Sequence, residues 1–285
     1  MRSHLPVIVL FSASILWGLS WWPLKQIHAL GIEGIALIFG AYGVLALVYL
    51  PLTLRGFSRR YATGLGAIAL LGGGANLCFT YALINGDVVR VMVLFYLLPV
   101  WGVLGGYFFL HEKLSLARVG GAWLAVAGAF LILGGVETLH VSFSTIDLIA
   151  LAAGIFFALN NILFRSLKEV HVNVKVGAMF WGCFVLASTL ILLDVERFPS
   201  EVGARAWAAL LAYALLWLLL ANIGSQWGVT QMQAGRSSII IIMELVTAVV
   251  SAAYIGDRAL SFSEYTGGAL VVSAALIEAL SSQEE

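Results

Sequence analysis

The sequence predicts an all-α integral membrane protein, with ten transmembrane helices arranged as two inverted-topology five-helix repeats. Three observations predict it. The composition is too apolar for water, charge-free stretches of membrane-spanning length follow one another, and the second half repeats the first at a near-constant offset. Of 285 residues, 61% are AVILMFWYC and only 11% are charged, and the mean hydropathy is +1.00. A soluble domain carries about 25% charge, so this chain cannot clothe a water-facing globule, and an ordinary soluble enzyme is excluded. Disorder is excluded too, because it needs low hydrophobicity and many charges. Lys+Arg and Asp+Glu number 15 each, which leaves no basic excess for a nucleic-acid backbone. Cys78 and Cys183 lie inside apolar runs and form neither a disulfide framework nor a zinc site. No His pair has metal-ligand spacing, so neither metal nor cofactor is expected.

A spanning helix needs about 20 mostly apolar residues. Eight stretches run 17 residues or more without a charge: 3–24, 34–54, 61–86, 91–111, 119–136, 148–164, 176–193 and 206–235. A ninth, 237–256, is interrupted only by Glu244, and a tenth extends from Leu260 to Leu280 around Glu264 and Glu278. No turn residues split 206–235, which reads as one tilted helix. Arg2, a short apolar run and Ser12-Ala13-Ser14 mimic a signal peptide, but hydrophobicity continues through Trp22, so the first helix is read as retained. Short loops on the side of the N-terminus carry 10 Lys/Arg and those opposite carry 5. That bias puts both termini in the cytoplasm of a bacterial inner-membrane protein.

The internal repeat gives the domain organisation. Arg90–Leu131 aligns with Arg236–Ile277 at a shift of 146, pairing Gly121 with Gly267, and the same shift pairs Asn76 with Asn222 and Thr80 with Gln226. Near the start of each half a shift of 140 pairs Trp17 with Phe157 and Ser20 with Asn160. The units are 1–140 and 141–285, five helices each. Five is odd, so the second copy enters from the opposite face, as in many secondary transporters whose site lies near the midplane between the halves.

The first half also carries Leu98-Pro99-Val100, then Leu110-His111-Glu112-Lys113-Leu114-Ser115, then Gly120-Gly121 and Gly128. This pattern resembles the drug/metabolite transporter superfamily, EamA type. The second half departs from it: Leu245 stands for the Pro and Arg258 for the Glu, which leaves the bending of the ninth helix open. Within the superfamily, Trp17-Gly18 and Trp21-Trp22-Pro23 make the chain similar to aromatic amino acid exporters. The resemblance implies a central cavity built from helices 1, 3, 4, 6, 8 and 9, and export of amino acids or similar metabolites.

Polar groups in hydrocarbon are costly and should face a cavity or another helix. Asn76 and Thr80 are four residues apart, as are Asn222 and Gln226, so each pair shares a helical face. Cavity lining and helix–helix hydrogen bonding both suit them. Asn160 and Asn161 lie late in the sixth helix; at least one is expected inward, and as neighbours that face differently they leave the other for an interhelical or interfacial role. Glu244 lies well inside the ninth span, where a carboxylate should be neutral, paired or watered. It suits a substrate ammonium, a proton or a structural hydrogen bond. Trp17, Trp21, Tyr81, Tyr96 and Trp101 offer aromatic surface for an amphipathic solute, with core packing as the competing explanation. Pro99 breaks a bond of the fourth helix and is a candidate hinge. Gly102 and Gly106 form a GxxxG packing face.

The expectation is a non-enzymatic secondary transporter that exports amino acids, aromatic ones included, by alternating access. Its partners are a small-molecule substrate and the lipid bilayer, with no nucleic acid, and it acts as a monomer. Trp17, Trp21, Tyr81, Tyr96 and Trp101 would form the apolar wall, while Asn76, Thr80, Asn160, Asn222, Gln226 and Glu244 orient the zwitterion. The alternatives are an exporter of cationic drugs or another metabolite, held by Glu244, and a membrane enzyme or scaffold without transport.

Overall fold

The computed structural model describes residues 4–32, 34–86, 88–134, 143–195, 198–199, 202–255 and 259–280, and these are all helix and connection. Fourteen α-helices form ten rods. The first rod is α1 (Leu5–Leu19) with α2 (Trp21–His28), followed by α3 (Gly34–Gly56) and α4 (Ala62–Asn85). The fourth is α5 (Val88–Phe95) with α6 (Leu98–Leu110), and the fifth is α7 (Leu116–Ile132). The sixth and seventh are α8 (Thr145–Ser166) and α9 (Val172–Leu192). The eighth joins α10 (Ala204–Tyr213) through a π turn to α11 (Leu219–Gln231), the ninth is α12 (Ala234–Ile241) with α13 (Met243–Ile255), and the tenth is α14 (Phe262–Leu280). Among the described residues, eight rods are long and apolar enough to cross a membrane; α7 is apolar but only 17 residues long. Leu54, Leu70, Phe108, Trp123 and Leu216 are exposed on the outside, a surface that suits lipid rather than water.

Local chemistry explains the helix ends. Ser144 and Asp147 form a capping box on α8, with Asp147 N–H donating to Ser144 Oγ at 3.3 Å and Ser144 N–H to Asp147 Oδ2 at 2.6 Å. Ser261 and Glu264 do the same for α14, at 3.2 and 2.8 Å. His111 closes α6 in the left-handed region, φ 54°.

Three rods are each split into two α-helices: the first at Ser20, the fourth at Tyr96 and Leu97, and the ninth at Ile242. The fourth turns at Tyr96 and Leu97, and Pro99 sits in the first turn of α6 rather than kinking a continuous helix. Pro has no N–H, which costs nothing in a first turn. The ninth breaks at Ile242 with no proline present, so the question left open by Leu245 is answered: this helix is also discontinuous. Tyr96 and Ile242 are related by the shift of 146.

Small residues set the closest crossings. A methyl on Gly182 would lie 1.9 Å from the Ala69 carbonyl oxygen, where α9 crosses α4. One on Gly267 would lie 2.4 Å from Gly128 O, where α14 crosses α7. The GxxxG face of α6 packs on α12: a methyl on Gly102 would meet Ser238 Oγ at 2.3 Å. Without a water-driven force between apolar helices, close backbone approach supplies the packing energy.

Candidate functional site

A buried polar ring links four rods. The Tyr42 hydroxyl of α3 donates to Asn76 Oδ1 of α4 at 2.9 Å and lies near the Asn222 side chain of α11. Asn76 and Asn222 each tie their own amide back one turn, to Gly72 O at 2.9 Å and Leu218 O at 2.8 Å. Gln226, one turn on from Asn222, donates Nε2 to Asn161 Oδ1 at 3.4 Å. Asn160 Nδ2 reaches the same oxygen at 3.5 Å and Met179 Sδ at 3.9 Å. Asn160 Oδ1 then lies against Gly72, where a methyl would meet it at 2.9 Å. Two amide oxygens in this ring, Asn160 Oδ1 and Gln226 Oε1, are buried without a hydrogen-bond donor among the described residues. Buried polar groups are normally paired, so these two acceptors stand ready for a donor.

Asn160 and Asn161 are both buried, at 0% and 4% exposure, and they bond to each other. Adjacent helical positions point about 100° apart, but amide side chains are long enough to close that gap when both lie between α4 and α11.

The aromatic candidates are dispersed. Tyr96 sits in the break of the fourth rod, buried edge-on against Phe95 at 5.4 Å, and its hydroxyl pairs with Glu244. Glu244 lies in the first turn of α13, just past the break of the ninth rod, where the helix N-terminus favours negative charge. Gly18 of α1 packs on this turn, since a methyl there would lie 2.4 Å from Glu244 O. Trp21 Nε1 donates to Ser251 Oγ at 2.9 Å, one to two turns further along α13. Trp17 and Trp101 are half-buried against the larger core, and the Trp101 indole N–H is buried without an acceptor. Thr80 and Tyr81 are half-buried on α4 and take no part in the ring's side-chain bonds. The structure therefore brings Asn76, Asn160, Asn222 and Gln226 together, and separately Tyr96 with Glu244.

Two polar features at the rod ends escape the sequence reading. Lys175, counted there as a loop cation, is wholly buried in α9. Its ammonium donates to Phe164 O at 2.7 Å, Leu167 O at 3.2 Å and Thr230 Oγ1 at 3.1 Å. The first two are carbonyls at the C-terminus of α8, where a cation is favoured. Arg165 Nη1 likewise donates to Thr230 O at 2.9 Å. The second feature joins the Glu112 loop to the ninth and tenth rods. Both Glu112 oxygens accept from Ala234 N–H at 3.0 Å. Arg118 bonds Gln233 Oε1, donates to Lys113 O at 2.7 Å, and pairs with Glu278 at 3.5 Å.

A cavity of about 800 Å³ opens beside this second feature, lined by residues 109–113, Arg165, Ser166, Lys168 and Gln233. A smaller one of about 270 Å³ lies next to it, between residues 168–172 and the end of α11. The first turns of α1 pack at this same end, against Gly228, and the last turn of α14 meets Arg118 there. None of the expected wall residues lines either of these two cavities. Among the described residues no group of three His, Cys, Asp or Glu could hold a metal ion.

Comparison with known proteins follows this geometry. Residues 4–134 match the EamA-like transporter family. The chain is 22% identical over 252 residues to the "Uncharacterized transporter YoaV" of Bacillus subtilis (strain 168), covering 84% of this chain and 85% of that protein. It is 25% identical over 215 residues to an "Uncharacterized transporter" of Vibrio cholerae serotype O1, covering 70% and 67%. A solved structure described as "Crystal structure of protein" shares the fold with a TM-score of 0.81 at 19% identity, covering 98% of this chain and 99% of that one. The first half is thus similar to the EamA-like transporter family, and most of the chain is similar to proteins described as transporters.

Proposed function

We propose that the protein is a ten-span secondary transporter that exports amino acids, aromatic ones included, by alternating access around a site between two inverted five-helix repeats. On this reading it lies in the bacterial inner membrane as a monomer with both termini cytoplasmic, and within its family it stands near the aromatic amino acid exporters. Family members are transporters rather than enzymes, which favours a non-enzymatic role.

The observation that carries the reading is the pair of breaks in the fourth and ninth rods. The breaks at Tyr96 and Ile242 fall at equivalent positions of the two halves, and Tyr96 meets Glu244 across them. Discontinuous helices that present half-helix termini and polar side chains at mid-membrane are the usual setting of a transported solute. The helix pairing supports the repeat. Exchanging the first five rods for the second five carries α3·α9 and α7·α14 onto themselves, α4·α8 onto α1·α11, and α6·α8 onto α1·α13, and all of these pairs are packed together. The buried ring adds amide acceptors for an ammonium, and Tyr42 bonds to Asn76 and lies near the equivalent residue Asn222.

The test is counterflow in proteoliposomes with a panel of amino acids, with and without a pH gradient. Exchange of phenylalanine, tyrosine or tryptophan is expected; a panel in which no amino acid moves overturns the reading. Export of cationic drugs is favoured by one observation, the Glu244 carboxyl at the break. Quaternary amines in the same assay distinguish the two, since Glu244→Gln removes the negative charge a permanent cation needs while leaving a hydrogen-bonding partner for Tyr96.

A further inference from the structure

The large end cavity has a charge pattern that the transport site does not use. Of its nine lining residues, Lys113, Arg165 and Lys168 are basic, His111 adds an imidazole, and Glu112 is the single carboxylate. Both Glu112 oxygens already accept from the Ala234 N–H that begins α12, so the acid is engaged with the helix end. Arg165 uses one guanidinium nitrogen on Thr230 O, and four of its five N–H donors lie outside that bond. Among the described residues neither Lys113 nor Lys168 pairs with a carboxylate. Basic side chains are common at one membrane face. What sets these apart is that they line a cavity of about 800 Å³ together with an apolar wall of Phe109 and Leu110. Phe109 is 64% exposed on the outer, lipid-suited face of α6, so the cavity runs from the bilayer side of the rod to the basic cluster.

We propose that this cavity binds the phosphate group of an anionic phospholipid, held by Lys113, Arg165 and Lys168, with the lipid's apolar part lying along Phe109. A phosphate-bearing anion satisfies the cations, and only an amphipathic one also uses the apolar wall. Basic pockets between membrane helices take such headgroups. The site is separate from the transport reading and stands or falls without it.

The test titrates delipidated protein with short-chain phosphatidylglycerol and with phosphatidylcholine, read by native mass spectrometry, with inorganic phosphate as competitor. Phosphatidylglycerol is expected to bind at least about tenfold more tightly than phosphatidylcholine. The double variant Lys113→Gln/Lys168→Gln is expected to lose about 30-fold in affinity, from about fivefold per basic side chain, and Lys113→Arg/Lys168→Arg to keep it. Both lysines are exposed, and a thermal melt checks that every variant stays folded. Equal binding of the two lipids, or a folded Gln variant with unchanged affinity, overturns the proposal. Displacement by inorganic phosphate at the lipid's own concentration overturns it as well, by assigning the cavity to a soluble anion.

Discussion

Replacing Glu112 by Ala tests whether the short Glu-Lys-Leu-Ser turn of the first half works as a cap on the second. The carboxylate lies with both oxygens 3.0 Å from the N–H of Ala234, the first residue of the eight-residue helix α12. The first N–H groups of a helix have no intrahelical partner, and losing a side-chain cap costs about 0.5–2 kcal/mol. A negative charge at a helix N-terminus adds about 0.3–1 kcal/mol when exposed and up to about 2 when partly buried. Glu112 is half-buried and folded back over Gly106, where a methyl would lie 2.5 Å from Oε2. One carboxylate supplies both the cap and the charge, so the two effects overlap rather than add, and Glu112→Ala should cost about 2 kcal/mol. Glu112→Gln keeps a neutral acceptor and should recover about half of that. The assay is denaturant unfolding in mixed micelles followed by tryptophan fluorescence. Glu169→Ala is the control: Glu169 accepts a 2.7 Å bond from the Tyr61 hydroxyl on an exposed surface, and should cost under about 0.5 kcal/mol. A Glu112→Ala protein no less stable than this control would refute the capping argument.

Four further outcomes follow from the packing and the buried polar groups. Tyr42→Phe removes the donor to Asn76 Oδ1 and should cost about 0.6–2 kcal/mol; in a double-mutant cycle with Asn76→Ala the coupling should account for most of it. Gly182→Ala drives a methyl into the Ala69 carbonyl oxygen and should cost at least the 1–3 kcal/mol typical of overpacking, seen as a fall in melting temperature. Gly66→Ala, where a methyl meets nothing within 4 Å, should be neutral or stabilising by up to about 1 kcal/mol. Trp101→Phe deletes a buried indole N–H that has no acceptor, so its unfolding free energy should hold or rise; a loss above about 2 kcal/mol would mean that the ring's size matters more than its unpaired donor.

The rods were legible in the sequence because hydrocarbon imposes one demand, an uncharged stretch about 20 residues long, and that demand is local. Asn76 and Asn222 were legible as a pair because the offset between the halves puts them in equivalent places, and Tyr42 bonds to the first and lies near the second. Tyr42 itself carried no mark, since one tyrosine among apolar residues looks like any other until its neighbours are known. Lys175 was hidden for a deeper reason. A lysine at the edge of a span reads as solvated, and only the arrival of the α8 carbonyls Phe164 O and Leu167 O makes a buried position tolerable. Which helix end lies beside which side chain is a tertiary fact. The break at Ile242 was equally silent, because Leu245 gives no local reason for one. Of the polar partners of α12, Glu112 at its start comes from another part of the chain, while Ser237 and Ser238 turn back on Ala234 O and Gly235 O of the helix itself.

The packing also bears on how such a molecule can move. The larger apolar core draws on α1, α3, α4 and on α8 through α11, with Leu98, Ile240 and Ile241 as its only members from the α6 and α12 side among the described residues. The second core draws on α5, α6, α7, α12, α13 and α14, and from α8 takes the buried Ala153, with Phe157 packed against it. Each core thus mixes both halves of the sequence. Rocking residues 1–140 as a block against 141–285 would tear both cores and the glycine crossings α4·α9 and α7·α14, where backbones touch and packing is least forgiving. Sliding one core past the other breaks much less. The Glu112 and Arg118 bonds to Ala234, Gln233 and Glu278 lie within the second core's helices and would travel with them. The Trp21–Ser251 and Arg90–Asp147 contacts join helices of different cores and would have to open. The unit of rigidity is thus the core rather than either half of the sequence. The seam between the two cores passes Tyr96 and Glu244, the two residues at the breaks of the fourth and ninth rods.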